Sequence, residues 1–215
     1  MARFAMITES DARMLPEGSS VELLPKGHIT PLAADTLRDR RITVIRADQV
    51  VAGDGADLVP VADVRRVVIG SDHTGVALKE YLLVALRGRG LAVVAVGAEG
   101  AAPAPVDYPD VAEQVAQAVV RREADAGIVI DGAGLGSAMA ANKVAGARAA
   151  LCVNETLARY ARQHNGANVL ALGATLVSHG DALAVVDAFL STAMTEPRYI
   201  RRLAKLQRLD QTRGS

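Results

Sequence analysis

From Val67 onward the apolar positions alternate between unbroken runs and stripes spaced three or four residues apart. Val67-Val68-Ile69 is wholly apolar, the pattern of a strand covered on both faces. Val76 to Arg87 follows with Leu78, Leu82, Ala85 and Leu86 on one stripe, which predicts a helix ended by Gly88 and Gly90. Leu91 to Val96 reads as the next strand. Gly100, Pro103 and Pro105 make an irregular loop. Asp107-Tyr108-Pro109 then opens a second helix, because proline suits a first turn, with Val111, Val115 and Val119 on its buried face. Gly127 to Ile130, Arg148 to Val153 and Asn168 to Leu172 read as strands. Asn154 caps a helix over Glu155 to Gln163, and Ser178 caps another through Leu190. Strand–helix alternation of this kind predicts an α/β fold, a doubly wound, Rossmann-like parallel sheet with helices on both faces.

Residues 1 to 60 follow a different pattern. Val21-Glu22-Leu23-Leu24 and Ile42 to Ile45 read as short strands, and Thr30-Pro31 opens a short helix to about Arg40. Gly53-Asp54-Gly55-Ala56-Asp57 reads as a linker. The expected organisation is a small N-terminal extension over 1–60, serving docking, packing or targeting, and a main domain over 65–215. At the other end, Arg198 to Leu209 predicts a basic helix with Ile200, Leu203, Leu206 and Leu209 on its apolar side.

Composition narrows the function. Half of the 215 residues are apolar and 22% are charged, enough to fill a core. Lys+Arg and Asp+Glu balance at 24 each, which argues against a nucleic-acid binder driven by bulk charge. The one cysteine, Cys152, lies in the apolar run Ala149 to Val153 and reads as a buried strand residue, so neither a disulfide within the chain nor a cysteine metal centre is expected. No apolar stretch approaches the roughly 20 residues of a membrane span. Met1-Ala2-Arg3-Phe4 begins no long apolar signal region, so the expected location is the cytoplasm.

Two loops that follow strands carry the candidate chemistry. One is Ile69-Gly70-Ser71-Asp72-His73-Thr74-Gly75. The other is Ile130-Asp131-Gly132-Ala133-Gly134-Leu135-Gly136-Ser137, followed by Ala140-Ala141-Asn142-Lys143. In open α/β sheets ligands bind at that edge. Gly132, Gly134 and Gly136 alternate, which is not the GxGxxG dinucleotide spacing, and no Walker lysine follows. Such a loop frees backbone N–H groups that can hold an anion or a developing oxyanion; a tight turn explains the spacing equally well. Arg198 and Arg202, four apart, share a helix face and suit a phosphate, although a solvated basic face has the same pattern. His164, followed by Asn165-Gly166, reads as a helix C-terminus.

Together these motifs resemble the ribose-5-phosphate isomerase B family, which includes the galactose-6-phosphate isomerase subunits. The resemblance runs from Val67 to about Arg208. It rests on Gly70-Ser71-Asp72-His73, Val106-Asp107-Tyr108-Pro109-Asp110, Gly132 to Gly136, Ala140-Ala141-Asn142-Lys143, Arg148 to Cys152, and Arg162-Gln163-His164-Asn165-Gly166-Ala167-Asn168-Val169-Leu170. It implies aldose–ketose isomerisation of a sugar phosphate, most directly ribose 5-phosphate to ribulose 5-phosphate, through a cis-enediolate and without metal or cofactor. It implies Asp72 and His73 at the substrate, His164 assisting ring opening with Asn165 beside it, and Arg198 and Arg202 on the phosphate. It makes Gly132, Gly134 and Gly136 the cradle for the enediolate oxygens, with Tyr108 and Ser137 also at the substrate. It further implies a site at the interface of a homodimer or dimer of dimers, with His164 and Asn165 acting on the partner's site. Ile7 to Arg13 and His28 to Ala33 resemble leader segments of bacterial microcompartment-associated enzymes, which implies a shell or cargo partner for residues 1–60.

The chain departs from the family pattern where the chemistry is done. Members carry a cysteine base where Asp131 stands, or a glutamate base where Ser137 stands. A threonine and an arginine common in the family correspond to Ala133 and Thr175. An aspartate is shorter and less basic than a thiolate. Either Asp131 takes over as the base, or the chain acts on another sugar phosphate, or it has become a binding or assembly subunit.

Overall fold

The structure, a computed structural model, describes residues 2–46, 58–194 and 196–212. Within it lie two parallel sheets. The Gly53 to Asp57 linker falls outside the described residues.

The first sheet takes in β1 (Arg3–Ile7), α1 (Glu9–Met14), β2 (Ser20–Ile29), α2 (Pro31–Asp39) and β3 (Thr43–Arg46), with strand order β1-β2-β3. Threonine closes both strand-to-helix turns. Thr8 and Asp11 form a reciprocal capping box, and the Thr30 hydroxyl accepts the Ala33 N–H with Pro31 in the first turn. The segments read as leader-like, Ile7 to Arg13 and His28 to Ala33, span these two junctions. Ile7, Ala12, Leu15, Val21, Leu23, Ala33, Leu37 and Ile42 form a core separate from that of the main sheet. The α2 helix falls within a residue of expectation. β1 and α1 were not expected, and β2 runs well past Leu24. In β2, Phe4 pairs with Leu23 but Met6 pairs with His28, so residues 24–27 bulge. A bulge is where a strand tolerates Pro25 and Gly27, which read in sequence as a break.

The main sheet comprises β4 (Arg66–Ser71), α3 (Val76–Gly88), β5 (Ala92–Gly97), α4 (Tyr108–Val120), β6 (Ala126–Asp131), α5 (Leu135–Ala141), β7 (Ala149–Leu151), α6 (Glu155–Asn165), β8 (Val169–Gly173), α7 (His179–Ser191) and α8 (Pro197–Thr212). All of its strand pairs are parallel, in the order β5-β4-β6-β8-β7. Alternate residues of β4, β6 and β8 feed two cores. Ile69, Ile128, Ile130 and Leu170 pack with Leu78, Leu82 and Phe189 on one face. Val68, Val129 and Val169 pack with Val111, Val115 and Ala141 on the other. The chain leaves β4 for β5 on one side and returns to β6 on the other. The strand order therefore reverses between β4 and β6, and the crevice beyond their carboxyl ends is the place where such sheets bind ligands.

Two devices fix the periphery. At the β7 edge, the Asn142 amide accepts the Ala149 N–H at 2.8 Å and donates to the Ala149 carbonyl at 2.9 Å, which blocks pairing by another strand. Near the linker, Arg162 is 1% exposed. It donates to the carbonyls of Ala167 and Val61 and lies over the Phe189 ring. Burial, with Arg148 nearby, lowers its pKa to about 10, still cationic at neutral pH. Arg148 donates to the carbonyls of Gly166 and Leu58. Two guanidinium groups thus clasp the chain at residues 58–61. In α8, Tyr199 and Leu203 are buried with Leu58 and Met194, whereas Leu206 and Leu209 are 46% and 58% exposed, so only the first half of the expected apolar side packs inward. Among the described residues no helix is long and apolar enough to cross a membrane.

The clasp sets the outcome of truncation. Deleting residues 1–57 should leave the main sheet folded. Extending the deletion through Val61 should destabilise it by about 1.5–3 kcal/mol for each guanidinium that loses an acceptor. Urea unfolding of the two truncations measures the difference, and equal stability would show that the clasp contributes nothing.

Candidate active site

β4 and β6 lie side by side; Asp72 directly follows β4, and Asp131 ends β6. Asp72 Oδ1 accepts the Thr74 N–H at 2.8 Å, the Thr74 hydroxyl at 2.6 Å and the Gly75 N–H at 3.2 Å, closing the turn that starts α3. Its other oxygen takes no donor from the described residues. His73 points outward from the same turn.

Asp131 repeats the device. Its Oδ1 accepts the N–H groups of Ala133, at 2.8 Å, and Gly134, and its Oδ2 accepts the Ser137 N–H at 2.8 Å. The carboxylate is 5% exposed and holds the end of β6, the glycine loop and the first turn of α5 together. The loop is also held from β8. The Thr175 N–H and hydroxyl both donate to the Gly132 carbonyl, and the Ala174 N–H donates to the Asp131 carbonyl. Two glycines are required by space. Gly134 has φ +75°, and a Cβ there would lie 2.5 Å from Leu151 Cδ1 and 2.9 Å from the Gly173 nitrogen. A Cβ on Gly136 would lie 2.7 Å from the Tyr108 ring, which therefore sits directly on the loop. Ser137 is fully buried and, among the described residues, its hydroxyl has no hydrogen-bond partner.

Asp131 thus occupies part of the cradle expected of this loop. The Ala133, Gly134 and Ser137 amides point at the chain's own carboxylate. Leu135 and Gly136, the first two residues of α5, have no carbonyl one turn back within the helix, and among the described residues no hydrogen bond from their N–H groups is seen.

The remaining expected residues gather elsewhere. α6 ends at Asn165 with Gly166 left-handed at φ +57°. The His164 ring lies between Tyr160, at 4.7 Å and 16°, and Tyr199, at 4.6 Å and 30°. Asn165 is exposed and donates to the Tyr160 carbonyl. From α8, the guanidinium carbons of Arg198 and Arg202 lie 4.8 and 5.6 Å from the Tyr199 ring centre, and Arg198 donates to the Tyr199 hydroxyl at 3.0 Å. Tyr160 and Tyr199 were not singled out from the sequence. The i, i+4 spacing of Tyr160 and His164, and the placement of Tyr199 beside Arg198, were the available signals. Among the described residues no hydrogen bond or ring contact joins Asp72, His73, Tyr108 or Asp131 to His164, Asn165, Arg198 or Arg202. Within one chain the expected residues therefore fall into two separate groups. A groove of about 330 Å³ between α8 and the β7 edge, lined by Asn142, Arg148, Leu206 and Asp210, includes neither Asp72 nor Asp131. No cluster of three metal-ligating side chains occurs among the described residues.

The sequence profile of the Ribose/Galactose Isomerase family matches residues 67–206, nearly the span expected from the motifs. The chain belongs to this family. The match takes in both groups of candidate residues and leaves out the first sheet. Ribose-5-phosphate isomerase B of Escherichia coli is 38% identical over 150 residues, covering 70% of this chain and 99% of the relative. Among solved structures, ribose-5-phosphate isomerase B of Clostridium thermocellum is 43% identical with a TM-score of 0.66, over 69% of this chain and 99% of that one. The Mycoplasma genitalium ribose-5-phosphate isomerase B, solved with bound ribulose-5-phosphate, is 41% identical with a TM-score of 0.64, over 68% of this chain and 96% of that one.

Cys152 stands apart from this chemistry. It is 1% exposed, and burial pushes its thiol up to about 11. The reactive thiolate is then about one part in a thousand at pH 8 and rises tenfold per pH unit up to that value. Alkylation of the native protein at pH 8 should be slow and should track unfolding. Rapid stoichiometric labelling with loss of activity would contradict this placement.

Proposed function

We propose that the chain interconverts an aldose phosphate and its ketose phosphate, most directly ribose 5-phosphate and ribulose 5-phosphate, at a site completed by a second copy of the chain. The observation that carries this reading is the β4/β6 switch point, where two aspartates meet backbone N–H groups still open to an oxyanion. Asp131 Oδ2 receives one N–H and keeps a lone pair, with which it takes the proton from the carbon beside the carbonyl. The Leu135 and Gly136 amides receive the enediolate oxygens, and Asp72 and His73 hold the sugar hydroxyls. The proton then returns to the neighbouring carbon. His164 of the partner subunit assists ring opening, since imidazole both donates and accepts protons near neutrality. The partner's Arg198 and Arg202 hold the phosphate. Exposed apolar side chains flank both half-sites, Leu135 and Met139 beside the first and Leu157 and Tyr160 beside the second, which suits burial between two chains.

A second reading is a sugar-phosphate-binding or assembly subunit with reduced chemistry. The three amides on Asp131 favour it, because they give that carboxylate a structural task. Residues 1–60 we assign a docking role, with a microcompartment shell or cargo protein as the partner. Deletion of residues 1–57 then spares isomerisation and abolishes that association.

Asp131→Asn should lower kcat by on the order of 10² or more with KM little changed. Arg198→Ala and Arg202→Ala should each lower kcat/KM about 10- to 100-fold, from the loss of roughly 1.5–3 kcal/mol at the phosphate. Mixing the Asp131→Asn and Arg202→Ala chains should restore activity, because each mixed dimer contains one site with both native residues. Failure to complement would exclude the shared site, and near-full turnover of Asp131→Asn would favour the binding-subunit reading.

A further inference from the structure

Tyr199 stands at the centre of the second half-site. It is 7% exposed and packed with Leu58, Met194 and Leu203, so its ring is anchored. One contact of that ring is His164. The guanidinium groups of Arg198 and Arg202 also lie against it. Two arginines one helical turn apart repel each other and are free to swing, because both are exposed. The electron-rich face of a tyrosine attracts both. The hydroxyl holds Arg198 a second time at Nη2, while its Nε faces Glu196 Oε2 at 3.7 Å. A residue that merely filled the core would need neither the ring plane nor the hydroxyl.

We propose that Tyr199 is a positioning residue shared by His164 and the arginine pair, its ring fixing the imidazole and its ring and hydroxyl holding Arg198 and Arg202 side by side for one phosphate. This rests on the sugar-phosphate reading above, and it makes acid/base placement and phosphate binding fail together when the ring is lost. Tyr160 contributes only to the imidazole, since the arginine contacts belong to Tyr199.

The test compares Tyr199→Leu, Tyr199→Phe and Leu203→Ala in the full chain. Leu203→Ala opens the same buried cluster without touching the ring and serves as the structural control. Three readouts are taken: the NMR shifts of the His164 ring protons, the dissociation constant for inorganic phosphate, and kcat and KM. Ring currents from the stacked tyrosines should displace the His164 signals upfield in the parent. Tyr199→Leu should move them toward those of exposed His73, and should weaken phosphate and lower kcat each by about tenfold. Tyr199→Phe should recover the His164 shifts and most of the lost kcat, while phosphate stays about threefold weaker because only the hydroxyl contact is gone. Leu203→Ala should lose thermal stability alone. A folded Tyr199→Leu with unchanged His164 shifts or unchanged phosphate affinity overturns the proposal, as does Leu203→Ala reproducing its effects. Should Tyr199→Leu fail to fold, Tyr199→Phe decides, and unchanged phosphate affinity in it overturns the proposal. If the shifts and phosphate affinities behave as expected while the parent turns over no sugar phosphate, the isomerase reading fails and the positioning role stands.

Discussion

The Asp131 carboxylate receives three backbone N–H groups, and those bonds fix the end of β6, the glycine loop and the first turn of α5 at once. A buried carboxylate is tolerated only when hydrogen-bonded, and buried amides need acceptors, so each side of this arrangement satisfies the other. Gly134 is left-handed because the loop must curl back to bring its amides onto that carboxylate. Thr175 holds the loop from β8, and Gly136 leaves room for Tyr108. The residue proposed as the base is therefore also the residue that gives the loop its shape.

The sheet determines why this happens where it does. Strand order reverses between β4 and β6, which opens a crevice at their carboxyl ends. Both strands close their outgoing turns in the same way, with an aspartate Oδ1 accepting the N–H groups two and three residues on. They differ in the second oxygen. Asp131 Oδ2 spends one lone pair on Ser137, whereas Asp72 Oδ2 takes no donor from the described residues. The pair thus brings two carboxylates to one crevice with different capacity left for a ligand.

Much of this was legible in the sequence. The strands from Val67 onward are short and continuously apolar, and the helices between them carry clear stripes, so their order and the parallel sheet followed directly. β1 was missed because Arg3 to Ile7 is brief and buries only its last residue. α5 was missed because Leu-Gly-Ser-Ala-Met-Ala-Ala has no stripe, and its start depends on Asp131 reaching the Ser137 amide. The outer leucines of α8 look like a core stripe but remain exposed, because periodicity does not say how far a neighbour extends. Asp72, Asp131, His164 and the arginine pair were candidates through the family resemblance; by local pattern alone His164 read as a helix end and the arginines equally as a solvated basic face. The ring stack on His164 is a long-range contact between α6 and α8 that no local pattern encodes.

On the proposed reading, the two groups of residues divide the chemistry of isomerisation. One offers carboxylates and amides for proton transfer and a developing oxyanion. The other offers imidazole and guanidinium groups for ring opening and phosphate. The most direct measurement of this account is NMR of the purified full chain with ribose 5-phosphate in deuterated water. The account predicts conversion to ribulose 5-phosphate with solvent deuterium accumulating at C1 over prolonged equilibration, because the proton held by the carboxyl exchanges with solvent in a fraction of turnovers. Prolonged equilibration without any deuterium at C1 would contradict the proton-transfer mechanism, and no conversion at high protein concentration would contradict the isomerase reading itself.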